Sequence, residues 1–169
     1  MIQIIPAILA TSEEDFKRDI SRLMQSPSLK EGWLHIDFAD NVFVPNQTIR
    51  PSVVVKYTAD LYKEAHIMVA HPIEWVDDLA KAGFERIIFH LESEDETMDT
   101  IEFIKSKGLE VGIAIKNETP VEILEPYGAK IDVVLQMSVV PGLQGQPFLP
   151  EVMNKIKETS RLRSKGFQT

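Results

Sequence analysis

The sequence has no cysteine, which excludes a disulfide framework, a thiolate nucleophile and cysteine-based metal sites. It is short of basic residues: 18 Lys and Arg stand against 26 Asp and Glu, a formal net charge of -8. That balance disfavours nucleic acid or an anionic membrane as a partner. A small phosphate ligand stays open, because local backbone dipoles can hold one. No apolar run approaches the roughly 18 residues of a membrane span, and the N-terminal segment lacks the basic region of a signal peptide. A cytoplasmic location is the expectation. Glycine is sparse, 8 in 169 residues. None lies in the turn Leu9-Ala10-Thr11-Ser12 after the first apolar run, where a dinucleotide-binding sheet would carry its glycine fingerprint.

What is present is a regular alternation. Hydrophobic residues make up 44% of the chain and charged residues 26%, ordinary values for one globular domain, here expected over residues 1–169. Strands are expected at 3–8, 33–38, 66–69, 86–90, 110–115 and 133–137, with Ile4, Leu135 and Met137 on inner faces. Amphipathic stretches separate them. Thr11 with Glu14 forms a capping-box pattern before Phe16, Ile20 and Leu23. Pro51, Pro72 and Pro120 suit first helical turns, and Gly83, Gly108 and Gly128 suit stops. A last helix is expected over 149–165, with Val152, Ile156 and Thr159 on one face, a solvated basic face from Lys155 to Lys165, and Gly166 at its end.

Six strand–helix units imply a parallel sheet joined by crossovers. Polar residues at the C-terminal ends of several strands favour a (β/α)8 barrel over an open doubly wound sheet. The sharpest local pattern is His35-Ile36-Asp37: two apart on a strand, the imidazole and carboxylate share a face. With His66 from the next strand they form a candidate divalent-metal site, against a plain alternative of buried, backbone-satisfied polar groups. The turn from Pro141 to Gln146 could hold a phosphate on backbone N–H groups or be an ordinary loop. Methionines 68 and 137 read first as core filler. His71 reads as a loop residue, His90 as a satisfied structural histidine, and Glu92 to Glu96 as a solvated helix start.

Several segments, in this order and spacing, resemble the ribulose-phosphate 3-epimerase family. They are Pro6-Ala7-Ile8-Leu9; His35-Ile36-Asp37-Phe38-Ala39-Asp40 with Phe43-Val44-Pro45-Asn46; His66-Ile67-Met68-Val69; and Met137-Ser138-Val139-Val140-Pro141-Gly142. The resemblance implies an α/β TIM barrel, here about six β/α units. It implies an isomerase of the pentose phosphate pathway that interconverts ribulose 5-phosphate and xylulose 5-phosphate by proton transfer at C3. It makes His35, Asp37 and His66 ligands of zinc, iron or manganese, and Asp37 one catalytic acid/base. Ala7, Met68, Met137, Gly142, Gln144 and Gly145 become substrate-binding positions for a sugar phosphate. The family usually has serine at Ala7, methionine at Ala39, glycine at Asn41, asparagine at Val140 and glycine at Gln144.

A seventh strand, bearing the second catalytic aspartate, would begin near Phe167. The chain is therefore expected to be C-terminally incomplete and to have little or no epimerase activity. Open edges on the first and sixth strands would favour a homo-oligomer. Two alternatives stay open: a non-catalytic relative that binds sugar phosphate or serves as an assembly partner, and an epimerase of a six-carbon ketose phosphate.

Overall fold

The computed structural model describes residues 3–25, 32–58 and 60–163. Six strands form one parallel sheet: β1 (Ala7–Leu9), β2 (Trp33–Ala39), β3 (Tyr62–Met68), β4 (Arg86–His90), β5 (Glu110–Ile115) and β6 (Val133–Gln136). Their spatial order is their chain order. A doubly wound sheet would reverse direction at a switch point; sequential order throughout is that of a TIM-barrel-like fold, with β1 and β6 as the open edges of the sheet. Between the strands lie α1 (Glu13–Leu23), α2 (Pro51–Val54), α3 (Ile73–Lys81) and α4 (Thr97–Ser106); two 3-10 turns join β5 to β6, and α5 (Val152–Arg163) follows.

Period-2 alternation divides each strand between two environments. Ile8, Leu34, Ile36, Phe38, Ile67, Ile87, Phe89, Val111 and Ile113 belong to one buried cluster with the helix residues Phe16, Ile20, Trp75, Val76, Leu79, Ile101 and Ile104. Burying each such side chain contributes about 1.5–3 kcal/mol, so the sheet–helix layer is the main source of cohesion. The other face of the strands is left to carry polar groups. Gly83 and Gly108, at φ 72° and 75°, follow α3 and α4, the left-handed geometry that ends helices.

Several expected details differ. The first strand is short, and Ile4 is 90% exposed rather than inward. β3 begins four residues earlier than 66. The cap of α1 is Ser12, which accepts from the Asp15 N–H, in place of Thr11 with Glu14. On α5 the buried positions are Val152, Lys155 and Leu162, while Ile156 is 45% exposed. Lys155 belongs to no solvated face: its ammonium donates to the carbonyls of Lys116, Asn117 and Thr119. Three carbonyl acceptors offset the burial of that charge, which an apolar-stripe reading cannot anticipate. The expected stop at Gly166 and the seventh-strand start lie outside the described residues.

Candidate metal centre and cavity

Register sets the site. Leu9 pairs with Asp37, Asp37 with His66, and His35 with Glu64, so equivalent positions of β1, β2 and β3 lie side by side. Asp37 Oδ1 is 2.7 Å from His66 Nδ1 and 3.3 Å from His35 Nε2. The three donor atoms lie within 4.8 Å of one another. A carboxylate oxygen between two imidazole nitrogens needs a proton or a cation along each contact, and two imidazoles with one carboxylate are a donor set that fits a divalent transition metal.

The electrostatics follow from this crowding. Burial pulls the His35 pKa down, but hydrogen bonds to Asp37 and Glu64 overcome it and push it up to about 9. Burial acts to raise the Asp37 carboxyl; hydrogen bonds to His35 and His66 hold it well below the usual range.

Each histidine also has a partner on its far side. His35 Nδ1 is 2.7 Å from Glu64 Oε1, and the other oxygen of Glu64 accepts from Arg86 at 2.6 Å. His66 Nε2 is 2.9 Å from His90 Nε2, and His90 Nδ1 is 3.2 Å from Glu92 Oε2. His90 is fully buried, and that burial lowers its pKa to about 4. Burial acts to raise the Glu92 pKa, but hydrogen bonds from His90, Thr119 and the Lys116 N–H bring it to about 2.

Beside these groups lies a cavity of about 280 Å³, lined among others by Ala7, Leu9, Met68, Met137 and residues 138–143. Its outer wall is the loop after β6. There Gly142 has φ 106°, and a Cβ on it would approach Val44 to 2.8 Å. Its carbonyl accepts from Asn46 Nδ2 at 2.7 Å. Gln144 Nε2 donates to the Leu9 carbonyl at 2.6 Å, so the loop reaches from the β6 edge to the β1 edge.

The structure thus brings together His35, Asp37, His66, Ala7, Met68, Met137 and Gly142. Gln144 and Gly145 do not line this cavity; Gln144, which donates to the Leu9 carbonyl, lines an adjoining cavity of about 700 Å³ that shares Ala7, Leu9 and Asp37. His71 is a loop residue beside Asp95, and His90 is buried and hydrogen-bonded, as expected. Glu92 departs from a solvated helix start, since it binds His90, the Lys116 N–H and Thr119. Glu64 and Arg86 were missed. The signal for Glu64 is the alternation Glu64, His66, Met68, outside a strand expected to start at 66; Arg86 lies within the expected strand 86–90, where nothing in the sequence pairs it with Glu64. Asp40, in the motif that follows His35 and Asp37, accepts with its carboxylate from the N–H groups of Val42, Phe43 and Ala70 and pins the loop after β2 to the end of β3.

Fold and site together define a TIM-barrel-like α/β protein with a candidate metal centre at the C-terminal ends of neighbouring strands. A family described as the ribulose-phosphate 3 epimerase family matches residues 3–168. The ribulose-phosphate 3-epimerase of Schizosaccharomyces pombe is 38% identical over 160 residues, 92% of this chain and 69% of that protein. The cytoplasmic isoform of the enzyme from Oryza sativa is 35% identical over 161 residues, with the same coverages. The Bacillus subtilis enzyme is 34% identical over 164 residues, 96% of this chain and 74% of its relative. The chain belongs to the ribulose-phosphate 3-epimerase family, whose named members are isomerases and which is generally metal-dependent. Among the described residues no helix is long and apolar enough to cross a membrane.

Proposed function

We propose that this chain acts on ribulose 5-phosphate, with Asp37 transferring the proton at C3 beside a divalent cation held by His35, Asp37 and His66. The observation that carries this reading is the placement of Asp37 Oδ1 between two ring nitrogens at the wall of a cavity. The ionised form is the one that can accept a proton, although the hydrogen bonds from His35 and His66 that hold Asp37 ionised also lower its basicity. When bound, a divalent cation would stabilise the negative charge that develops on the substrate oxygens. Met68 and Met137 would exclude water from the reacting carbon, and the loop around Gly142 would take the phosphate. Zinc, iron and manganese all suit the donor set.

Inversion needs a second proton-handling group on the opposite face of C3. Asp37 is the sole carboxylate among the described residues lining the cavity, so exchange of the C3 proton is the step this site supports by itself. The test is incubation of the metal-loaded chain with ribulose 5-phosphate in D2O, followed by NMR. Deuterium should appear at C3 with the native chain and not with Asp37→Asn. Equal exchange by both proteins would refute the assignment.

A six-carbon ketose phosphate would need a wider pocket, such as an alanine in place of methionine at Ala39 could give. Ala39 is buried against Val44 and Met68 and does not line the cavity, so no observation favours that reading.

A further inference from the structure

We propose that Lys116 is a substrate-anchoring residue whose ammonium takes the phosphate of the sugar phosphate at the mouth of the strands, against the wall formed by residues 139–141. The inference rests on the reading of the cavity beside Asp37 as the substrate site and supplies a counter-charge for that substrate.

Strand alternation aims Lys116. Val111, Ile113 and Ile115 enter the sheet–helix core, so Gly112, Ala114 and Lys116 point to the face that carries Asp37 and His66. Ile115 pairs with Gln136, and the Met137 N–H donates to the Ile115 carbonyl at 3.3 Å. Lys116 therefore comes level with Met137, which lines the cavity beside Asp37. The backbone there is held from two sides. The Lys116 N–H donates to Glu92 Oε1 at 2.9 Å, and its carbonyl accepts from Lys155 Nζ at 2.6 Å.

The ammonium itself is uncommitted. Nζ lies 4.2 Å from the centroid of the Phe43 ring, and among the described residues it has no hydrogen bond or ion pair. A cation over a ring is held without using its N–H groups, so all three donors stay free for a ligand. Phe43 packs against the cluster of Ala39, Val44 and Met68 at the same mouth. Lys116 and Phe43 line a cavity of about 230 Å³ that shares Val139, Val140 and Pro141 with the cavity beside Asp37.

Charge makes the assignment. A phosphate monoester carries close to two negative charges at neutral pH. Residues 138–149 hold no lysine or arginine, so that loop offers a phosphate backbone N–H groups but no cation. Asp37 lines one cavity and Glu118 the other, and both repel an anion. Lys116 is the one lysine or arginine among the described residues lining either cavity. Hydrogen bonds from an ammonium to phosphate are shorter and stronger than neutral ones.

The experiment titrates ribulose 5-phosphate and inorganic phosphate into the Zn2+-loaded native chain, Lys116→Met, Lys116→Arg and Lys81→Met, followed by 31P NMR, and repeats the C3 exchange in D2O. Lys116→Met keeps the apolar stem on Phe43 and removes the ammonium. It should weaken both ligands by about 10- to 100-fold, and raise the KM of exchange with kcat unchanged. Lys116→Arg should restore most of the affinity. Lys81→Met, which removes an exposed charge on α3, should match the native chain. In the native chain ribulose 5-phosphate should protect Lys116 from amine acylation; no protection would overturn the anchor even if Lys116→Met failed to fold. Equal losses in Lys116→Met and Lys81→Met would mean a net-charge effect and would also overturn it. A loss confined to ribulose 5-phosphate would put the ammonium on the sugar and overturn the phosphate assignment. Native exchange with no dependence on Lys116 would overturn the anchor and leave the proposed function standing; Lys116-dependent binding without C3 exchange would do the reverse.

Discussion

His35 and Glu64 face each other across the β2–β3 register, with imidazole Nδ1 2.7 Å from carboxylate Oε1. That contact fixes the ring so that Nε2 points at Asp37. Glu64→Gln should therefore lower divalent-metal affinity by about 10–100-fold, measured by chelator competition. Glu64→Ala should also destabilise the fold by about 1.5–3 kcal/mol, because it removes one of the two carboxylates that pair with Arg86 while Glu110 remains. A denaturant titration checks the second effect.

Metal affinity should depend on pH through His35. Its pKa of about 9, raised by Asp37 and Glu64 against the pull of burial, means a proton occupies the ring below that pH and must leave when a metal binds. Affinity should rise by about tenfold per pH unit for this one proton and level off above about 9. Stability of the metal-free chain should run the other way. The contribution of protonated His35 is complete below its unfolded value of about 6.5 and is lost as pH rises through about 9. Metal titrations and melts from pH 6 to 10 test both signs.

Asn41 stands at φ 63° in the turn between β2 and α2, its N–H donating to the Asn46 carbonyl at 2.7 Å. The left-handed region costs L-residues about 1–2 kcal/mol, and asparagine tolerates it better than most. Asn41→Gly should be neutral or mildly stabilising, whereas Asn41→Ala should destabilise by about 1 kcal/mol. Melting temperatures of the two variants should fall on opposite sides of the native value, or the glycine form should equal it.

The same position shows what the sequence made legible. The left-handed backbone at Asn41 is one that glycine adopts with least cost, which accounts for the glycine that the resemblance leads one to expect there. His35, Asp37 and His66 were readable because strand alternation puts i and i+2 on one face and register does the rest. The outer partners were not, since Glu64 lay outside the expected strand and His90 and Glu92 act through contacts 24 and 27 residues away in sequence. Buried Lys155 escaped for a related reason: a lysine on a helix reads as solvated until the carbonyls that accept from it are known.

Lys155→Met keeps the buried stem of that side chain and removes three hydrogen bonds to residues 116, 117 and 119. Leaving those carbonyls without a donor should destabilise the chain by about 1–3 kcal/mol. The exit of β5 should show faster amide exchange in the variant. Unchanged exchange and stability would mean that water replaces the ammonium.

The metal centre is the claim on which the functional reading depends. Crystals of the native chain grown with Mn2+ or Zn2+, measured at the metal absorption edge, test it most directly. One anomalous peak should lie among His35 Nε2, Asp37 and His66 Nδ1 and should vanish in His66→Ala. A metal bound elsewhere, or a peak unaffected by that substitution, would contradict the account.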